Sequence, residues 1–168
     1  MFDTVWFPLF LAAAAAVVIL AAALARANAA VPDKSRDYQE EYSAPDFGET
    51  AGFAITSYPS NDILIPGRFW LINGKTAEIE YNFARLRVAE LGNLDIPDAF
   101  TENAYESVTT YSVEGIEVTQ SQSPGRRGMI QWRKGEFEYV LLSEEPQMNL
   151  IGGVSTDFVT QTEANKTG

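Results

Sequence analysis

An uncharged apolar run from residue 4 to residue 25 constrains this chain more than any other stretch. It reads TVWFPLFLAAAAAVVILAAALA and is bounded by Asp3 and Arg26. An α-helix rises ~1.5 Å per residue, so the run would reach about 33 Å and match a hydrocarbon core of about 30 Å. We therefore expect residues 1–30 to form a single transmembrane helix. The side chains expected to face lipid are Trp6, Phe7, Leu9, Phe10, Leu11, Val17, Val18, Ile19, Leu20 and Leu24.

The same segment permits a second interpretation, a secretory signal that is cleaved near Ala29. Ala27-Asn28-Ala29 provides the small residues that such a cleavage site requires. The first four residues, MFDT, contain no Lys or Arg, and the apolar run exceeds the ~7–15 residues of a usual signal core. The sequence therefore favours a retained helix, and a mature chain that begins at Ala30 would favour secretion.

Composition excludes several classes of function. The chain has 168 residues, a formal net charge of −11, and no Cys or His. It therefore lacks disulfides, thiolate nucleophiles, the usual zinc ligands, histidine ligation of haem and Ser-His-Asp triads. The acidic balance disfavours nucleic acids and anionic lipid surfaces, both of which select basic proteins. We expect no cofactor and no nucleic-acid partner.

The rest of the chain divides into three parts. Residues 31–50 are polar and acidic with two prolines, which is typical of a linker or of an arm that lies on a domain. Residues 51–160 contain short alternating apolar runs separated by turn residues, which predicts one antiparallel sheet domain. Residues 161–168 are predicted to be a disordered tail.

Asn73-Gly74 predicts the first tight hairpin, because both residues tolerate the positive φ of a two-residue turn. In that register Trp70 and Ile72 share one face of the sheet. Phe69 and Leu71 then lie on the opposite face, which needs cover from a helix, from the 31–50 arm or from a partner.

Charge pairing predicts a second hairpin around Asn82-Phe83. If these residues form the loop, Glu80 lies opposite Arg85 and Glu78 lies opposite Arg87. One face of the pair then holds opposite charges and the other holds apolar groups. A shift of one residue would invert the two faces, so the register is well specified.

Glu114-Gly115 and Lys134-Gly135 predict two further hairpins. After them, Pro146 is well placed in the first turn of a C-terminal helix. The predicted fold class is α+β, a single N-terminal transmembrane helix followed by an antiparallel β-meander of about seven strands with one C-terminal helix. The expected contacts are Val113–Ile116, Tyr111–Val118, Trp132–Phe137 and Ile130–Tyr139, with Ile151, Val154 and Phe158 on one face of the helix.

Several turn and core motifs follow one another between residues 50 and 160. They are Gly52-Phe53 with Pro59, INGKTAEIEY at 72–81, RVA at 87–89, DI at 95–96, VEGIEV at 113–118, and Trp132 with Gly135 and Tyr139. This order resembles a family of bacterial extracytoplasmic domains of unknown function, common in Gram-positive lipoproteins and membrane-anchored proteins. The resemblance implies a sensory or accessory domain outside the membrane and no catalytic residues, although this chain lacks the lipid-anchor Cys.

Acidic residues suggest two kinds of site. A carboxylate-dependent hydrolase would need two strand carboxylates within a few ångströms in a cleft, whereas the alternative is a solvated sheet face partnered by Arg85 and Arg87. Calcium would need oxygen ligands, and the available group lacks EF-hand spacing. We expect neither catalysis nor a bound metal. The strand carboxylates are Glu78, Glu80, Glu117, Glu136 and Glu138, and the candidate calcium ligands are Asn93, Asp95, Asp98 and Glu102.

A protein interface is the favoured site. Apolar residues on the second sheet face and a basic cluster at one sheet end would anchor a partner, the alternative for the cluster being a solvated loop. The expected interface residues are Phe69, Leu71, Arg126, Arg127, Arg133 and Lys134.

The sequence thus predicts a single-pass cell-membrane protein whose extracytoplasmic, non-enzymatic module binds other protein subunits, as an accessory subunit of a membrane complex or as a surface sensor. Arg26 by itself favours a cytoplasmic C-terminus, opposite to the resemblance. The alternatives are a secreted ligand-binding domain and a carboxylate-dependent hydrolase.

Overall fold

The computed structural model describes residues 36–41, 47–101, 105–123, 127–143 and 148–168. The predicted transmembrane helix and all its lipid-facing side chains lie outside these residues. Within the described ranges, no helix is both long enough and apolar enough to cross a membrane.

Ten strands and three helices make up the described part of the chain. They are β1 (Tyr38–Glu41), α1 (Gly48–Ala51), β2 (Phe53–Ser57), β3 (Pro66–Ile72), β4 (Thr76–Tyr81), β5 (Arg85–Glu90), α2 (Asp98–Thr101), β6 (Ser107–Val113), β7 (Ile116–Gln122), β8 (Gly128–Lys134), β9 (Phe137–Ser143), α3 (Met148–Gln161) and β10 (Glu163–Lys166).

Eight of these strands form one antiparallel sheet in the order β1-β3-β4-β5-β9-β8-β7-β6, and β2 pairs with β10 in a separate small sheet. The predicted antiparallel sheet with a C-terminal helix is confirmed. The predicted simple meander is wrong, because β5 pairs with β9 and β6 lies at the far edge. The chain between Glu90 and Ser107 is long enough to pass four strand spacings of ~4.8 Å before β6 begins.

Two of the predicted hairpin registers are confirmed. Glu80 lies opposite Arg85 and Glu78 lies opposite Arg87, as the charge pattern requires. Val113 also lies opposite Ile116, and Tyr111 opposite Val118. Glu114 and Gly115 have φ values of 50° and 85°, so both occupy the left-handed region that a type I′ turn needs.

The predicted two-residue turn at Asn73-Gly74 is wrong. Ile72 lies opposite Thr76, so the loop contains three residues. Asn73 is bonded to Asp37 twice, since its N–H donates to the Asp37 carbonyl at 2.8 Å and its side-chain oxygen accepts from the Asp37 N–H at 3.0 Å. The extra residue inverts the predicted faces and turns Leu71 toward the core, where it is 1% exposed.

The hairpin between β8 and β9 turns one residue later than predicted. Lys134 lies opposite Phe137, so Gly135 and Glu136 form the loop, and Gly135 has a φ of 60°. Trp132 therefore pairs with Tyr139. The register differs from the prediction by two residues, and a shift of two keeps every side chain on its predicted face.

The larger core lies between one face of the sheet and a layer that contains α3 and β2. The Tyr81 ring meets Phe158 of α3 edge-on, with ring centres 5.0 Å apart. Phe53 of β2 lies 5.4 Å from Phe137 between ring centres. The first contact joins β4 to α3 and the second joins β2 to β9, so both link elements that are distant in sequence.

The second face of the sheet is covered by the connection between β5 and β6. A smaller core there contains Phe100, Met129, Val140 and Leu142, with Leu94, Ile96, Ala99 and Tyr105 packed against it. The connection itself, rather than the C-terminal helix or a partner, covers this part of the face.

The predicted linker or arm and the predicted disordered tail both contribute to the fold. Within the predicted linker or arm, Tyr38–Glu41 is an edge strand and Phe47 is buried in the larger core. The predicted disordered tail is wrong, because β10 pairs with β2 and buries Ala164. Lys134 stabilises this end through hydrogen bonds to the Thr162 carbonyl and the Glu163 carboxylate.

Candidate functional site

A buried ion pair joins β4 to β5. Glu78 is 3% exposed and Arg87 is fully buried, and Arg87 Nε donates to Glu78 Oε2 at 2.5 Å. Arg87 Nη1 donates to Asp95 Oδ1 at 2.8 Å, and Nη2 donates to the Tyr38 hydroxyl at 3.0 Å. The predicted solvated face is therefore wrong for Glu78, although Arg87 is the partner that the sequence indicated.

Arg36 extends this network to the residues before β1. Its Nε donates to Asp95 Oδ1 at 2.8 Å, and its Nη2 donates to Asp98 Oδ1 at 3.1 Å. Two of the candidate calcium ligands thus bind a guanidinium, and Glu102 lies outside the described residues. Among the residues that are described, no group of three or more His, Cys, Asp or Glu side chains is arranged to hold a metal ion.

Three of the other four strand carboxylates, Glu80, Glu136 and Glu138, also meet cations. Glu80 accepts two hydrogen bonds from Arg68, at 2.9 and 3.0 Å. Glu138 accepts from Arg133 Nη2 at 2.7 Å. Glu136 lies 3.3 Å from Lys166 Nζ. A hydrolase would instead need two carboxylates that face one another and have pKa values driven apart.

The predicted interface residues do not come together. Leu71 is buried in the larger core, and Phe69 packs against that core with its ring 6.1 Å from the Tyr58 ring. Arg127 precedes β8 and lies 5.7 Å from the centre of the Phe100 ring. Arg133 and Lys134 lie at the other end of β8, about 20 Å away at ~3.3 Å per residue.

The predicted basic cluster is therefore divided between two ends of the sheet, because a seven-residue strand separates its two halves. Arg126 lies outside the described residues.

The free edge of β6 is the strongest candidate site. In the described part of the chain, β6 pairs with β7 alone. Its sequence, SVTTYSV, contains no charge, no Pro and no Gly. Since the two-residue turn makes Val113–Ile116 a hydrogen-bonded pair, the backbone groups of alternate residues point away from β7. These residues are Val108, Thr110 and Ser112.

The same three residues are solvent-exposed, and Val108 is 63% exposed. On the opposite face, Tyr111 packs against the larger core, and its hydroxyl donates to Ser155 Oγ of α3 at 3.3 Å. Val113 is buried. The strand is thus fixed on its inner face while its outer edge presents three N–H and three C=O groups.

The start of β6 is fixed by two contacts. The Tyr105 hydroxyl donates to the Phe100 carbonyl at 2.8 Å, and the Glu106 N–H donates to Ser123 Oγ at 3.0 Å. Burial raises the pKa of Tyr105, and nearby Arg127 opposes part of that rise. Tyr105 is therefore a neutral hydrogen-bond donor at physiological pH.

Three glutamates lie next to this edge in the sequence, and the one nearby described cation is Arg127, close to Tyr105. Glu106 precedes β6, Glu114 follows it, and Glu117 lies on β7. All three carboxylates are exposed, and residues 105–123 contain no Lys or Arg. A ligand at this edge therefore meets an uncharged strand between two negative charges.

The opposite edge of the sheet differs from β6. β1 has four residues, YQEE, of which two are glutamates. Short length and charge are the devices by which natural proteins discourage unwanted strand pairing. β6 has neither device.

The sequence predicted the Val113–Ile116 and Tyr111–Val118 contacts of this hairpin but not the position of β6 at an edge of the sheet. Its one available signal was seven consecutive residues of β-forming character without a charge or a Gly. No protein-family model, curated protein or solved structure matches this chain.

Proposed function

We propose that this chain is a membrane-tethered, extracytoplasmic and non-catalytic module that binds another protein. In this proposal an extended segment of the partner adds to the sheet beside β6. The module serves as an accessory subunit of a membrane complex or as a surface sensor. The observation that carries the proposal is the free, uncharged edge of β6.

Strand addition suits this edge because it satisfies backbone groups that are otherwise left to water. Main-chain hydrogen bonds supply affinity, and alternate side chains supply specificity. Val108, Thr110 and Ser112 present the outward groups, while Tyr111 and Val113 hold the strand against the core. A partner thus meets a strand that is already in place and loses little free energy in ordering it.

The tether in this proposal is the apolar run at residues 4–25, which is long enough to span a bilayer. The extracytoplasmic placement is supported by the family resemblance, and Arg26 alone argues against it. The retained helix would hold the sheet domain near the membrane, where other subunits are concentrated.

The proposal is tested with the full-length chain in the membranes of its own host. We expect it to remain in the membrane fraction after alkaline carbonate, to keep residues 1–29 by intact mass, and to purify from mild detergent with a companion in fixed stoichiometry. A monodisperse monomer from native membranes would count against the interaction role. A dissolved chain that begins at Ala30 would instead support the secreted alternative.

A further inference from the structure

We infer that the segment bound at β6 carries Lys or Arg at both ends of a run of about seven uncharged, β-forming residues. The inference rests on the proposed function and specifies the chemistry of the partner at the same edge. It follows from the charges at the two ends of β6 and from the side chains between them.

The two end charges are separated by the length of the strand. Glu106 and Glu114 lie eight residues apart, which corresponds to about 26 Å at ~3.3 Å per residue. Both side chains are exposed, and neither forms an ion pair with another described residue. A partner strand with a cation at each end would meet both carboxylates, whereas one with acidic ends would meet repulsion at both.

The same charges disfavour a second copy of this chain as the occupant. Two β6 strands paired antiparallel about Thr110 would place Glu106 of each copy opposite Glu114 of the other. Like charges directly opposite one another destabilise a strand pair. Full-length self-pairing would therefore create two repulsive contacts, while a basic partner of the same length would create two attractive ones.

The residues between the end charges favour an uncharged partner. Val108 is 63% exposed, so an apolar side chain beside it would remove apolar surface from water. Thr109, Thr110 and Ser112 offer β-branched or hydroxyl neighbours and no charge. Cross-strand pairs of such residues contribute ~0.2–1 kcal/mol each.

The test uses the full chain in nanodiscs and a labelled peptide, KKVTVTVTVKK, as the probe. Fluorescence anisotropy measures its binding, and amide hydrogen exchange measures where it binds. We expect saturable binding that weakens at least fivefold between 50 and 500 mM salt (on the order of the screening expected for exposed charges). The amides of Val108, Thr110 and Ser112 should exchange more slowly on binding, while those of Thr109 and Tyr111 should not change.

Two control peptides separate charge from backbone pairing. Replacing the four lysines by glutamates should reduce binding at least tenfold. Methylating alternate backbone nitrogens of the lysine peptide keeps its charge but removes its donors, and it should also reduce binding at least tenfold. If the glutamate peptide binds as well as the lysine peptide, the inference about charge is wrong.

Substitutions in the protein test the same edge, with one control substitution away from it. The double variant Glu106→Gln with Glu114→Gln should weaken binding of the lysine peptide about tenfold and reduce the salt dependence of that binding. Thr110→Lys should abolish binding, whereas Ser60→Lys adds the same charge at an exposed loop position and should leave binding within about twofold. Circular dichroism checks that each variant is folded, and Val108→Lys replaces Thr110→Lys if that variant does not fold.

Failure of the inference is distinguishable from failure of the proposed function. If a stoichiometric companion purifies but no probe slows exchange at the three outward amides, the module binds elsewhere and the inference is wrong. Concentration-dependent dimerisation that Thr110→Lys removes would assign the edge to a second copy and would also overturn the inference.

Discussion

The Arg87 guanidinium and the Glu78 carboxylate form a buried ion pair between adjacent strands, with Nε and Oε2 2.5 Å apart. Arg87 directs its remaining groups to the Asp95 side chain, the Asp95 carbonyl and the Tyr38 hydroxyl. One arginine thus links β4, β5, the crossing connection and β1. Because burial removes the water that would solvate either charge, each depends on the other.

We expect Arg87→Leu to lower the free energy of unfolding by about 3–5 kcal/mol, because it leaves the Glu78 carboxylate buried without its main partner. Adding Glu78→Leu should restore part of the loss. Equilibrium urea unfolding of both single variants and the double variant gives the coupling between them. Arg68→Leu is the control, since it removes a half-exposed partner of Glu80 and should cost at most ~1 kcal/mol. Losses that simply add would contradict the coupling.

A second prediction concerns the ion pair between Arg36 and Asp95 and its effect on amide exchange in β1. Arg36→Ala removes the donor that lies 2.8 Å from Asp95 and ties the residues just before β1 to the connection after β5. We expect amide exchange in β1 to accelerate at least tenfold while exchange in β4 stays unchanged, since only local opening is promoted. Arg133→Ala removes an exposed ion pair with Glu138 and should leave exchange in β1 unaltered. Faster exchange throughout the sheet would mean that Arg36 stabilises the whole domain.

Sequence patterns correctly predicted features that depend on neighbouring residues. The opposition of Glu78 to Arg87 followed from charges nine residues apart around a short loop. Glu114-Gly115 was recognisable because both residues tolerate the left-handed backbone of the turn. In both cases the residues that determine the structure lie within one hairpin.

Features with distant causes could not be predicted in the same way. The loop after β3 has three residues instead of the predicted two because Asn73 in that loop binds Asp37, which lies 36 positions earlier. β6 lies at the far edge because the connection between β5 and β6 crosses the sheet and buries Phe100 against Met129, Val140 and Leu142. The candidate edge is a consequence of that crossing, so no local pattern contained it.

A third prediction compares two glycine-to-alanine substitutions, one in the turn between β6 and β7 and one in α3. We expect them to change stability in opposite directions. Gly115 has a φ of 85°, a conformation that alanine adopts poorly, so Gly115→Ala should cost about 1 kcal/mol. Gly153 lies in α3, and an added Cβ there would meet no atom within 4 Å. Gly153→Ala should therefore stabilise by about 0.5–1 kcal/mol. Thermal unfolding of both variants checks the signs, and a stabilising Gly115→Ala would contradict the type I′ turn.

Alkaline pH should weaken the domain through its buried tyrosines. Burial raises the pKa of Tyr139 from 10.0 to about 12; its hydrogen bond with the Ala164 backbone opposes that rise and nearby Glu163 adds to it. Burial raises the pKa of Tyr81 as well, and Tyr58 adds to the effect. Above pH 10 the unfolded chain loses phenolic protons that the folded chain keeps, so the free energy of unfolding falls as pH rises.

We expect stability that is independent of these two groups below about pH 10 and a decline of ~1.4 kcal/mol per pH unit for each tyrosine above it. Urea unfolding between pH 9 and about pH 11.5 measures the slope, a range chosen to bracket the ordinary tyrosine pKa of ~10. Tyr139→Phe removes one ionisable group and should reduce the slope by that amount, and Tyr81→Phe should do the same while also losing the 2.9 Å hydrogen bond to the Pro59 carbonyl. An unchanged slope in both variants would show that other groups cause the alkaline transition.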